Sequence, residues 1–115
     1  MAAAPDLIPI APVATTAAAG TLVLKNTPGQ LLSVTCTAGA VAGYLMVFDA
    51  VAAPADGAVT PIWVSGLIAI SGSYTFQSGA GPGLRCNNGI SLAFSSTGPF
   101  SKTASATAFM AGQVT

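Results

Sequence analysis

From Leu31 to Thr37 the chain alternates. Leu32, Val34 and Cys36 fall on one side, and Ser33, Thr35 and Thr37 on the other. A period of two puts successive side chains on opposite faces of a strand. Short runs of this kind recur along the sequence, separated by turn residues, and no helix-length segment carries apolar residues at helical spacing. Thr21 to Asn26 reads as a strand closed by Thr27-Pro28-Gly29. Tyr44 to Ala50 is apolar on both sides, which fits a central strand or one covered on its outer face by another subunit. Ile62 to Val64 and Leu67 to Ile70 read as one bulged strand or two short ones. Ser73 to Gln77 follows, with Tyr74 and Phe76 facing in. Leu84 to Asn87, Asn88-Gly89 and Ile90 to Ser95 predict a hairpin on a type I′ turn, with Ile90, Leu92 and Phe94 inward. Ala104 to Met110 is the last predicted strand. The pattern gives about eight strands, as in a β-sandwich.

The predicted fold is therefore all-β: a single antiparallel β-sandwich or jelly-roll-like domain over residues 21–115, with an extended N-terminal arm over residues 1–20. The arm is rich in Ala and Pro and lacks strand alternation. It is expected to lie along a neighbouring molecule more readily than on its own sheet. It does not resemble a secretory leader, because Met1 to Pro5 carries no Lys or Arg and Asp6 is acidic, although Thr16-Ala17-Ala18-Ala19 would pass as a cleavage site. Ser78 to Gly83 is a loop dense in Gly.

Charge changes this picture most. Only 5% of the 115 residues are charged, against about 25% in an ordinary soluble domain. They are Lys25, Arg85 and Lys102 against Asp6, Asp49 and Asp56, with no Glu and no His. A nucleic-acid partner is not expected, because phosphate binding needs clustered Lys and Arg. A membrane span is not expected either, because every long uncharged stretch is broken by Pro or Gly. The outward rows are Ser, Thr, Ala and Gly. Such a surface packs against protein at little desolvation cost, and interface cores are poor in charge. The chain is expected to work inside an assembly.

Chemistry is sparse. No His is available as a base beside the many serines, and no nucleophile elbow precedes a helix. An enzyme, a cofactor and a metal site are not expected. Asp49 and Asp56 bracket one loop and could in principle hold calcium; serving the strand end and the turn is the simpler role. Gly79 to Gly83 has no following Lys or helix and is not a phosphate cradle. Cys36 and Cys86 stay open between buried thiols, a disulfide between strands and a reactive thiol. The order Cys36, Trp63, Cys86 shares residue types with immunoglobulin domains, but its spacing differs and Leu84 stands where the tyrosine corner would be.

Two stretches carry a resemblance. Leu31-Leu32-Ser33-Val34-Thr35, Ala42 to Ala50 and Ala53-Pro54-Ala55-Asp56-Gly57 form the first. Gly89 to Ala104 forms the second. Both resemble small β-rich structural proteins of tailed bacteriophages, over roughly residues 21 to 110. The resemblance implies a non-enzymatic virion component, best a capsid decoration (cement) protein on the outer capsid surface, assembled in the bacterial host cytoplasm. It implies the major capsid protein and sister copies as partners, commonly as a homotrimer, with a terminal arm that clasps neighbours. Leu7, Ile8, Ile10 and Val13 are then the expected anchors. Two alternatives compete. One is a tail or fibre component that binds a host-surface glycan through aromatics around Trp63, Tyr74 and Asn87. The other is a secreted adhesin-like domain.

Overall fold

A computed structural model describes residues 13–15, 17–77 and 84–115. Eleven strands follow one another among them: β1 (Val13–Ala14), β2 (Thr21–Lys25), β3 (Gly29–Thr37), β4 (Tyr44–Phe48), β5 (Gly57–Ala58), β6 (Trp63–Val64), β7 (Ser73–Gln77), β8 (Leu84–Cys86), β9 (Ile90–Ser95), β10 (Ser101–Lys102) and β11 (Phe109–Val114). One sheet runs β1-β11-β3-β7, with β8 also on β3; the other runs β2-β9-β4-β6; β5 and β10 form a two-stranded ribbon. All pairings are antiparallel.

The two larger sheets face each other across one core. Leu31, Val34 and Cys36 of β3 and Met110 and Val114 of β11 meet Leu45 and Val47 of β4 and Ile90, Leu92 and Phe94 of β9. The predicted β-sandwich is thus the observed fold. Inward alternation makes it, since each of these strands sends every second apolar side chain into the gap.

Four expectations need correction. The Asn88-Gly89 hairpin does not form. β8 pairs with β3 and β9 with β2 and β4, so this corner carries the chain from one sheet to the other. Cys86 and Ile90 on either side of it are fully buried, in opposite layers of one core. The cross-sheet burial of both flanks wins over the local turn preference. Second, Leu32 is not on the inward row. The register skips from Gln113↔Ser33 to Val114↔Leu31, so Leu32 is a bulged residue and Leu31 takes the buried place at 0% exposure. Third, the last strand starts at Phe109, five positions later than expected, and runs to Val114. Its inward row then includes Met110 and Val114, with Gly112 closing on the Leu24 side chain.

The fourth concerns the arm. Val13 and Ala14 pair with Gly112 and Ala111 of the same chain, and Ala19 bridges Ala108. Thr15 donates its amide to Met110 O at 2.9 Å and accepts the Met110 amide on its hydroxyl at 3.3 Å. This part of the predicted arm therefore edges its own sheet. Leu7, Ile8 and Ile10 lie outside the described residues, as does the loop expected from Ser78 to Gly83.

Strand β4 is central, as its two-sided apolarity predicts, and the same chain covers its outer side. Met46 and Phe48 pack there with Val59 and Ala93, beside Ala50, Ala53 and Val64. The β5–β10 ribbon lies in this cover. No second subunit is needed over it.

Candidate interaction surface

The covered side is held by polar ties. Ser95 is fully buried at the end of β9. Its hydroxyl donates to the carbonyl oxygens of Thr97 and Ser101 and accepts the amides of Thr97 at 3.2 Å and Thr103 at 2.9 Å. The neighbouring Ser91 hydroxyl donates to Ala50 O at 2.8 Å. Lys102 is 3% exposed. Its Nζ meets Asp56 Oδ1 at 2.6 Å, and the same oxygen accepts the Ala104 amide at 3.2 Å. The Lys102 donor, followed by the Ala104 amide, holds the Asp56 carboxyl below its ordinary value.

Asp49 ties the corner after β8. Its carboxylate accepts the amides of Asn88 at 2.8 Å, Asn87 at 3.1 Å and, at the limit, Gly89 at 3.5 Å. The Asn88 and Asn87 amides lower its pKa. Both carboxylates are therefore engaged by the fold, and among the described residues no cluster of three metal-ligating side chains forms.

Both cysteines are free and buried. Cys36 stands on β3 opposite Met110 and Tyr74. Cys86 stands opposite Gly29 of the same strand, about 20 Å further along at the usual strand rise. Burial pushes both thiols up to about 11, with the Asp49 charge adding to the effect at Cys86. A thiol held protonated is a poor nucleophile.

The other outer face is different. On the β1-β11-β3-β7 sheet, Ala14, Ala111, Thr35 and Thr75 form one outward row. Phe109, Thr37 and Ser73 form the next, and Gln113, Ser33 and Gln77 a third. None of these side chains is ionisable. The Thr37 and Ser73 hydroxyls lie 3.1 Å apart, and Phe109 remains 51% exposed. A shallow groove of about 190 Å³ runs between Ala14, Thr35, Thr37, Phe109 and Ala111. Strand alternation produces this face directly: the residues between the core positions are mostly small or hydroxylic. Its lack of charge is legible in the sequence. Its extent is not, because that depends on which strands become neighbours.

The remaining predicted positions scatter. Val13 points inward and packs half-buried against the core of its own chain. Trp63 does meet Tyr74, with ring centroids 5.6 Å apart, and Phe76 at 4.8 Å. These aromatics close the seam between β6 and β7, the edge strands of the two sheets. Asn87 is not with them. It follows Cys86, whose place opposite Gly29 is about 20 Å along β3 from the Tyr74 position. A second cleft of about 140 Å³ lies between Lys25, Gln30 and Arg85, where Lys25 Nζ donates to Thr115 O at 2.6 Å. No sequence pattern singles it out, since its residues come from separate segments.

Comparison with protein-family models, with curated proteins and with solved structures finds no match to this chain.

Proposed function

We propose that this chain is a non-enzymatic structural protein that works with its bare sheet face covered by other protein. The observation that carries the reading is the asymmetry of the sandwich. One outer face is wrapped by the chain's own loops; on the other, the three rows that cross β1, β11, β3 and β7 hold no ionisable side chain, and Arg85 of β8 stands at one end of that face. Burying these rows strips no ions of water, so their apolar area favours association without an ionic desolvation penalty.

The resemblance to tailed-phage structural proteins suggests the partner. The reading is a capsid decoration protein on the outer surface of a virion, with the major capsid protein beneath it and sister copies beside it. Residues Leu7, Ile8 and Ile10 serve as added anchors. Each contact is weak after the cost of association, and repetition over a shell supplies avidity.

The test is occupancy on purified particles. Thr35→Arg places a charge in the middle of the bare face at an exposed position. It should fold normally and abolish shell binding, and deletion of residues 2–12 should weaken binding in the otherwise unaltered chain. Full occupancy by both variants, or a copy number confined to one vertex, would reject the reading. The Trp63–Tyr74 contact favours a second reading, a tail component that stacks a sugar ring on these aromatics. Specific retention of the chain on a glycan array, lost in Tyr74→Ala, would select it.

A further inference from the structure

We propose that two copies of this chain pair through strand β7, edge to edge about a two-fold axis centred on Thr75, joining their bare sheets into one. An unpaired edge is a template for another strand, and proteins commonly blunt it with charge, Pro, bulges or brevity. β1 and β6 are two residues long. β2 carries Lys25 and a register shift. β7 has none of these devices. It is five residues, Ser-Tyr-Thr-Phe-Gln, uncharged, without Pro, and in unbroken register with β3. Among the described residues no strand pairs with its far side.

The backbone polarity of that edge follows from one bond. The Ala38 amide donates to Gly72 O at 2.8 Å, on the same diagonal as Thr37↔Ser73. Antiparallel residues alternate between bonded and non-bonded pairs. Tyr74 and Phe76 therefore spend their amides and carbonyls on Cys36 and Val34. Ser73, Thr75 and Gln77 turn theirs outward.

That set is self-complementary. With the axis at Thr75, Thr75 faces the partner's Thr75 as a bonded pair. Ser73 faces the partner's Gln77 on either side, giving about six new backbone hydrogen bonds. Tyr74 meets the partner's Phe76 in the non-bonded pairs, where side chains come closest and aromatic pairs stabilise most. This covers Tyr74, which is otherwise 38% exposed beside Trp63. The contact is isologous, as a closed dimer requires, and it opposes no like charges. It differs from the threefold grouping that the resemblance implies, and it stands independently of any capsid partner.

Light scattering on the full-length chain tests it. The wild type should be a dimer whose mass does not change between low and high salt. In Thr75→Pro the lost amide is one that points away from β3, so the fold should persist. Thr75→Lys puts two like charges opposite each other. Each should raise the dimer dissociation constant at least about tenfold, with an unchanged circular dichroism spectrum. Phe109→Arg, exposed on β11 two strands in from the edge, should remain dimeric even if it loses every other partner. For register, Thr75→Cys should cross-link on oxidation, because directly opposite α-carbons lie within disulfide reach; Ser73→Cys should not. This cross-linking arm also decides the matter if Thr75→Pro fails to fold. A monomeric or trimeric wild type, dimers that survive both Thr75→Pro and Thr75→Lys, or equal cross-linking at both cysteine positions would overturn the proposal.

Discussion

Ser95 shows how one hydroxyl can organise a loop. It sits at the end of a strand buried on both faces, and its oxygen serves both turns of the segment that folds back over the outer sheet. Replacing it by Ala leaves buried amides and carbonyls without partners, which costs about 1–3 kcal/mol. Ser95→Ala is expected to lower stability by that amount in urea titration, whereas Ser96→Ala, on an exposed neighbour, should stay near zero. Leu31 and Leu32 make a second pair. Leu31 is wholly buried and Leu32 is the bulged residue. Leu31→Ala should cost about 2–5 kcal/mol, and Leu32→Ala less than half as much. Equal losses would mean that the register of β3 against β11 is wrong.

At the level of strands, the alternation of Ser33 to Thr37, the double-sided burial of β4 and the inward row of β9 are all legible in the amino-acid sequence. Each depends on a period of two inside one segment. What is not legible there depends on partners. Asn88-Gly89 has the local chemistry of a tight hairpin, but Cys86 and Ile90 are claimed by opposite layers, and the Asp49 carboxylate gathers the corner's amides. The ribbon of β5 and β10 is two residues on each side, too short to leave a pattern. The bare face is legible as composition; its neighbours, Ala111 beside Thr35 beside Thr75, are not, because the sheet order skips along the chain. The seam of Trp63, Tyr74 and Phe76 joins strands that neither pair nor share a sheet.

For the molecule as a whole, the charge deficit sets the pH response. Asp49 and Asp56 have folded pKa values below their ordinary 3.8. Their contribution is therefore fully present above that value and is lost as pH falls through the lower folded values. The two thiols behave oppositely. Their folded values near 11 exceed the ordinary 9.0, so unfolding is favoured as pH rises from 9 toward 11. With no His and no Glu, no side chain is left to titrate in between. Melting temperature should be flat from about pH 5 to 8.5 and fall on either side. A scanning calorimetry series that slopes through neutral pH would contradict the assignment of these ties.

The self-made cover over Met46 and Phe48 gives the sandwich a front and a back. A body finished on one side alone lies down in a single orientation, so whatever the bare sheet rests on, the Val51–Asp56 loop looks the opposite way. That loop is the natural place to hang cargo. In the proposed assembly a tag spliced between Val51 and Ala52, both exposed, should stand clear of the contact and be presented outward by every copy.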